Sequence, residues 1–204
     1  MTPIDFARQT KKDYTQITPS NHQIPNEVIM SANRKEEIIA SQKPFQDFYP
    51  DHLAHCYGCG RLNEHGHHLQ SYWDGDETVA WFTPQPYHIS IPGYVYGGLI
   101  ASLIDCHGTG SAAAYAYRAA QREMDDDGPP LRFLTASLHV DYLKPTPLGV
   151  ELELRGRAAE IKGRKVVIDI ELSAKGVVCA RGRVVAVQVP DKYIVDLVVS
   201  QPEA

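Results

Sequence analysis

The longest hydrophobic stretch of the chain runs from Gly98 to about Tyr117, where nearly every residue is apolar or small. A helix that is apolar on all sides is normally buried in a protein core. Asp105, His107 and two glycines interrupt the stretch, which makes it unlike a membrane-spanning helix. The pattern predicts one long central helix that other elements cover.

Shorter hydrophobic runs on both sides of this helix predict β-strands. Residues 69–73 and 78–82 flank a glycine-containing turn, which is typical of a hairpin. Residues 131–143 alternate between an apolar face, which includes Leu134, and a polar face, which includes Thr135. Short turns separate three further runs of an antiparallel meander, residues 150–159, 165–174 and 177–189. This order of elements predicts an α+β fold in which a curved antiparallel sheet wraps around the central helix.

The two ends of the chain differ in character from the segment between them. Residues 1–50 are polar, and we expect them to form a helical or irregular extension whose first residues are disordered. Within this extension, residues 26–41 carry a ragged apolar face and predict a helix with Asn26 as its N-cap. Residues 51–190 form the predicted main domain, and residues 191–204 form a C-terminal tail.

Charge and cysteine content narrow the choice of partners and compartment. The 204 residues carry a formal net charge of −5, and their lysines and arginines are scattered rather than clustered. A nucleic acid is therefore not an expected partner. We find no long apolar signal-peptide core and no membrane-spanning stretch, and four cysteines are too few for a disulfide scaffold of this length. We expect a cytoplasmic, reduced protein that does not associate with membranes.

The acid within the apolar run, Asp105, is the first candidate for chemistry. Burying a carboxylate without a partner costs several kcal/mol, so such a group is normally either hydrogen-bonded or used in a reaction. A hydrogen bond from a nearby hydroxyl such as Thr109, or exposure to solvent, would explain Asp105 without any catalytic role. Both interpretations fit the residue type.

Two glycines, Gly97 and Gly98, stand where the central helix is predicted to start. Without side chains, they let a ligand carbonyl approach backbone N–H groups, and the helix dipole favours negative charge at this end. The pair is therefore a candidate oxyanion hole, although glycine-rich turns into helices are common.

The segment 55–68 holds a second cluster of reactive side chains. Cys56 and Cys59 form a C-x-x-C pair with four histidines close by, and zinc requires four such ligands in a tetrahedron. A second C-x-x-C is missing, however, and the spacing from cysteine to histidine is shorter than in finger-type sites. We therefore expect a glycine-rich loop without metal, with a zinc-stabilised interaction module as the alternative. Cys106, within the central helix, is expected to serve packing.

These segments together resemble the hotdog-fold acyl-CoA thioesterases, in particular their phenylacetate-pathway (PaaI-like) branch. Tyr96-Gly97-Gly98 followed by Asp105 resembles the His-Gly-Gly…Asp signature of that family, with tyrosine in place of the usual histidine. Residues 135–145 resemble the strand that follows in the family. Residues 56–60, Cys-Tyr-Gly-Cys-Gly, look like a loop that opens many members, where it is not generally a zinc site. The resemblance covers about residues 53–190.

The resemblance implies hydrolysis of an acyl-CoA thioester to a free acid and CoA, without a cofactor. It implies that the Gly97 N–H holds the thioester carbonyl, that Asp105 is the general base or nucleophile, and that Thr135 orients the water or the acid. It also implies substrate contacts from Tyr96, Gly98 and Asn63. Since tyrosine replaces the histidine, a non-hydrolytic acyl-CoA-binding protein is an alternative.

Helix geometry bears on how such a site is assembled. Gly97 and Asp105 are eight residues apart, which is about 12 Å along a helix. An oxyanion donor must lie about 3 Å from the carbonyl oxygen, so the acid has to come from a partner subunit. We expect a homodimer or a dimer of dimers with two sites per dimer. Thr135 reaches such a site only from a strand end or a bulge, and His107 is expected to be a structural histidine bonded within the subunit interface.

Overall fold

A six-stranded antiparallel sheet and one long helix form the main body of the protein. The computed structural model describes residues 26–190 and 192–193. The long helix is α2 (Gly97–Ala119). The strands are β1 (Ser71–Asp74), β2 (Glu77–Phe82), β3 (Phe133–Tyr142), β4 (Leu152–Lys162), β5 (Lys165–Ala174) and β6 (Val177–Gln188). Their order in the sheet is β1-β2-β4-β5-β6-β3, and the predicted α+β arrangement is confirmed.

Helix α1 (Asn26–Ser41) forms where the sequence predicts it, and Asn26 is its first residue rather than the residue before it. The predicted disordered start lies outside the described residues, and so does nearly all of the predicted C-terminal tail. The main unit begins at Ile38, and both Ile38 and Phe45 are buried in it. The domain boundaries at residues 50 and 190 stay predictions.

The face of the sheet that packs against α2 forms the hydrophobic core. Leu99, Leu103 and Ile104 of α2 are fully buried among leucine, isoleucine and valine side chains of β4, β5 and β6. Contact is close because glycines stand at the crossing points. A Cβ atom at Gly108 would lie 2.5 Å from Val184, and one at Gly182 would overlap Ile104. No helix in the described part of the chain is long and apolar enough to span a membrane.

Strand β3 lies at the edge of the sheet and contains a β-bulge. Its pairing with β6 shifts register between Thr135 and Ser137. Because side chains alternate along a strand, one extra residue exchanges the two faces. Phe133 and Thr135 therefore face α2 before the bulge, and Val140 faces it after the bulge. The predicted uniform apolar face is wrong for Leu134, which is 65% exposed.

Candidate active site

Asp105 and Thr135 form the central contact of the site. The Thr135 hydroxyl donates a hydrogen bond of 2.5 Å to the Asp105 carboxylate, which is half-buried on α2. The bulge in β3 is what turns Thr135 toward the helix, as its predicted role requires. Thr109 is not the partner of this carboxylate, because its hydroxyl donates to the backbone carbonyls of Asp105 and Cys106.

The environment of the Asp105 carboxyl favours its protonated form. Burial raises the pKa of this group, the Thr135 hydrogen bond lowers it, and the nearby Cys56 sulfur raises it again. The net direction is upward because removing a carboxylate from water outweighs one hydrogen bond. A carboxylate with a raised pKa is a stronger base than an exposed one.

Gly97 and Gly98 begin helix α2, as predicted. Tyr96 precedes them with an extended backbone, and no described residue accepts a hydrogen bond from the N–H groups of Gly97 or Gly98. These are the N–H groups that every helix start leaves without an intrahelical partner. Gly98 is exposed, so a ligand can reach this backbone from solvent.

Two tyrosines frame the helix start. The Tyr142 hydroxyl donates a hydrogen bond of 2.9 Å to the Gly97 carbonyl and so fixes the first turn of α2 to the end of β3. The Tyr96 ring lies over Gly98, where a side chain would collide with it. Tyr96 is 40% exposed, and its hydroxyl is bonded to no described residue. Sequence reasoning missed Tyr142, although its position beyond Val140 on the same strand face was the available signal.

One subunit does not bring Gly97 and Asp105 together. Both lie on α2, with the whole of the first two helical turns between them. The rise of an α-helix separates them by about 12 Å. The two halves of the predicted site are therefore both present on the chain, at separate places along one helix.

Asn63 lies within the loop of residues 55–68 and stabilises its conformation. Its side-chain amide donates to the His55 carbonyl at 3.0 Å, and its side-chain oxygen accepts from the His65 N–H at 3.0 Å. Both hydrogen bonds are internal to the loop. The predicted contact between Asn63 and substrate stays a prediction.

The same loop brings two cysteines to a third on α2. The sulfur atoms of Cys56, Cys59 and Cys106 lie within 4.8 Å of one another, and the cysteines are free thiols. Hydrogen bonds from Cys106 and Cys59 lower the pKa of Cys56 to about 2. Cys106 was expected to serve packing alone, and the structure instead places its sulfur in a cluster of donors able to hold a metal.

His107 belongs to the core and not to the site around Asp105. Its ring is fully buried, with Nδ1 2.9 Å from the Ser71 hydroxyl and Nε2 3.3 Å from the Thr78 hydroxyl. Burial lowers its pKa to about 4 and keeps the ring neutral. It is a structural histidine, as predicted, but the partners described for it lie within its own subunit rather than across an interface.

A cavity of about 670 Å³ lies on the other face of the sheet. Its charged lining residues alternate along the strands with core residues, so they point away from α2. They include Arg155, Arg157, Asp169, Glu171, Arg181 and Arg183. None of the predicted site residues lines this cavity.

Comparison with known proteins gives consistent likenesses. A family model described as "Thioesterase superfamily" matches residues 92–181. A solved thioesterase superfamily protein from Shewanella loihica is 52% identical, over 71% of this chain and 99% of that chain, with a TM-score of 0.54. Acyl-coenzyme A thioesterase THEM4 from Xenopus laevis is 34% identical over 94 residues, which are 46% of this chain and 36% of that protein. This chain thus matches only about a third of that curated relative's length. The likenesses confirm the predicted hotdog fold.

Proposed function

This chain belongs to the thioesterase superfamily, and from that premise we propose that it hydrolyses an acyl-CoA thioester to a free acid and CoA. The observation that carries the proposal is the half-buried Asp105 carboxylate, held by the Thr135 hydroxyl at 2.5 Å. A carboxylate placed in an apolar helix and oriented by a hydroxyl is suited to general base catalysis. The PaaI-like branch is the proposed closer relationship, with Tyr96 in place of the usual histidine.

The start of α2 is the proposed oxyanion hole. The free N–H of Gly97 points out of the helix end, where the helix dipole favours the negative charge that develops on a thioester oxygen. The Tyr96 ring lies over Gly98, and the Tyr96 hydroxyl is available as a further hydrogen-bond donor beside this helix start. Tyr142 holds this first turn in position through the Gly97 carbonyl.

The carboxylate that acts at this oxyanion hole is proposed to come from a second copy of the chain. Since about 12 Å of helix separates Gly97 from Asp105, one subunit cannot supply both groups to one carbonyl. A two-fold dimer with antiparallel α2 helices would bring each Asp105 toward the Gly97 of its partner. This gives two equivalent sites per dimer.

Strand β3 supports this dimer because one edge of it has no neighbour in the described sheet. It is ten residues long, and a free edge of that length is a template for pairing with another strand. Exposed apolar side chains lie on β3 and just before α2: Ile89, Ile91, Tyr94, Leu134, Leu138 and Tyr142. Large apolar side chains left exposed beside an unpaired strand edge are common at interfaces between proteins.

The reaction uses one water molecule. Asp105 takes a proton from this water while the water oxygen adds to the thioester carbonyl carbon. The Gly97 N–H stabilises the resulting oxyanion. The carbon–sulfur bond then breaks, and the CoA thiolate leaves and takes up the proton from Asp105. Thr135 holds the carboxylate in the orientation that this transfer requires.

Asp105→Asn is the direct test, since it keeps the volume and removes the base. We expect turnover of a panel of acyl-CoA substrates, followed by thiol release, to fall at least about a hundredfold. Asp169→Asn, on the opposite face of the sheet, is the matched control and should keep the parent rate. Near-parent turnover by Asp105→Asn, with the fold and oligomeric state intact, would overturn the assignment.

A further inference from the structure

The three-cysteine cluster (Cys56, Cys59 and Cys106) is drawn from two separate elements. Cys56 and Cys59 lie in the loop, and Cys106 lies on α2, 50 residues from Cys56 along the chain. The Sγ atoms of Cys56 and Cys106 are 3.8 Å apart. In a tetrahedral zinc–thiolate site with bonds of about 2.3 Å, neighbouring sulfurs are about 3.8 Å apart. The Cys56 and Cys106 sulfurs thus match one edge of such a tetrahedron, and the Cys59 sulfur lies within 4.8 Å of both.

The loop is shaped so that its sulfurs can approach the helix. A Cβ atom at Gly58 would collide with the Cys106 sulfur, and one at Gly60 would collide with the backbone of Cys56. Glycine at both positions lets the loop fold tightly around the cluster. The backbone of Gly58 and Cys59 also hydrogen-bonds the Cys56 sulfur, an arrangement that stabilises a thiolate.

Main-chain hydrogen bonds hold the loop in this arrangement. The Gly60 N–H donates to the Cys56 carbonyl at 2.7 Å, and the Leu69 N–H donates to the Gly58 carbonyl at 3.0 Å. These hydrogen bonds fix the positions of the two sulfur donors of the loop. Preorganised donors reduce the cost of assembling a metal site.

We propose that the three-cysteine cluster binds one zinc ion per subunit through its three sulfurs, with a water molecule as fourth ligand. Sulfur ligands favour zinc among the common divalent cations. Cys59 and Cys106 are only 7% and 5% exposed, whereas Cys56 is exposed, so the fourth position opens toward solvent beside Cys56. A disulfide is the competing fate of such a cluster, but it would join two sulfurs at about 2.05 Å and leave the third without a partner.

This site differs from the one that the sequence raised as an alternative. That alternative used the histidines of residues 55–68 as ligands, because the C-x-x-C pair supplies only two of the four ligands that zinc requires. In the structure the third ligand comes from α2, and no histidine nitrogen among the described residues joins the group. The proposal departs from the expectation of a metal-free loop because the fold supplies a third sulfur.

Zinc at this position would tie the loop to α2 at the residue next to Asp105. The metal would therefore stabilise the surroundings of the proposed catalytic acid without taking part in the reaction. The proposal does not depend on the proposed hydrolysis, because metal binding and turnover are measured separately.

Metal content and cobalt binding test the proposal. Protein purified without chelator should contain about one zinc per subunit by plasma mass spectrometry. After reduction and removal of metal, a cobalt(II) titration should give thiolate-to-cobalt charge-transfer absorption that saturates at about one equivalent. Added zinc should then raise the thermal midpoint by about 5 °C or more.

Cys106→Ser should lose the cobalt absorption and the thermal shift, while Cys179→Ser, a buried cysteine of β6, should keep both. Cys56→Ser, at an exposed position, is the second variant if Cys106→Ser fails to fold. Absence of cobalt charge transfer in the parent would overturn the proposal. So would equal cobalt binding by parent and Cys56→Ser, or a disulfide within the cluster in freshly isolated protein.

Discussion

The Asp105 carboxylate depends on a hydroxyl that lies 30 residues further along the chain. The Thr135 hydrogen bond lowers the pKa of Asp105 against the effect of burial and also fixes the direction of the carboxylate. In the proposed reaction these two effects act on the same proton transfer. Both can be tested at Thr135 without touching the acid itself.

Thr135→Val keeps the branched shape and removes the hydroxyl. Losing this hydrogen bond raises the pKa of Asp105 further, so less of the carboxylate is ionised at low pH. We expect the acidic limb of the pH–rate profile to move to higher pH and kcat at neutral pH to fall roughly tenfold. Thr135→Ser is the control and should leave the limb in place. An unshifted limb in Thr135→Val would contradict the role of this hydroxyl.

Single residues were predictable where local pattern singled them out. Asp105 stood out as an acid in an apolar run, and Gly97 and Gly98 as glycines at a helix start. The contacts of Cys106 and Tyr142 were not predictable in the same way, because their partners are distant in sequence; for Tyr142 the strand pattern indicated only the face on which it lies. Their positions depend on how the loop and β3 pack against α2.

Among the elements, α2 and the strands of the sheet follow closely from hydrophobic pattern. A long run of mostly apolar and small residues that is interrupted by an acid and a histidine is expected in a protein core, and the strand alternation is strong from β4 to β6. The bulge in β3 was foreseen only as a requirement of the Thr135 role. Alternation alone assigned Leu134 to the core. The register shifts at Ala136, and because alanine is small and apolar, the alternation of apolar and polar residues shows no break there.

A buried polar cluster joins α2 to the β1–β2 hairpin. His107 contacts Ser71 of β1 and Thr78 of β2, and Thr78 also lies 2.6 Å from the Ser111 hydroxyl. The folded state holds His107 neutral, with its pKa lowered from 6.5 to about 4. As pH falls below 6.5, His107 binds a proton in the unfolded chain but stays neutral in the folded chain. The stability that this histidine contributes is therefore complete above pH 6.5 and is lost progressively toward pH 4.

His107→Phe should remove this pH dependence. The parent is expected to lose on the order of 3 kcal/mol in unfolding free energy between pH 7.5 and 4 through His107. At pH 7.5 the variant should be less stable by about 1–3 kcal/mol because two buried hydroxyls lose a partner. Urea unfolding at several pH values measures both effects, and His139→Phe, at an exposed position, is the control. An equally steep loss of stability in His107→Phe would assign the effect to other groups.

In the proposed mechanism, a complete site forms only when two chains meet. The described subunit carries an oxyanion-hole candidate at Gly97 and a base at Asp105, two helical turns apart. The exposed apolar edge around β3 is the surface expected to join the two copies. The sequence alone indicated that the two groups of one site come from different chains, because the helix rise fixes the distance between Gly97 and Asp105. It did not reveal which edge of the sheet stays open.

Mixed dimers test directly whether one site takes Gly97 from one chain and Asp105 from the other. Asp105→Asn removes the base, and Gly97→Pro removes the backbone N–H at a helix position that tolerates proline. Each variant alone should be inactive. In a heterodimer, Gly97 of one chain and Asp105 of the other form one intact site, so activity should return to about half of the parent value. Thiol release by purified, doubly tagged heterodimer measures this, and background activity in a folded heterodimer would contradict a shared site.

The close approach of α2 to the sheet limits how this protein can evolve. One added methyl group at Gly108 or Gly182 would already strike the opposite element. An acyl chain of several methylenes therefore finds no room at that crossing, and in the proposed dimer it would lie where the two copies meet. Selection for longer or shorter substrates would then act on surface side chains around the helix start and the open strand. Substrate range could diversify among descendants while the interior, and the stability that it provides, stays unchanged.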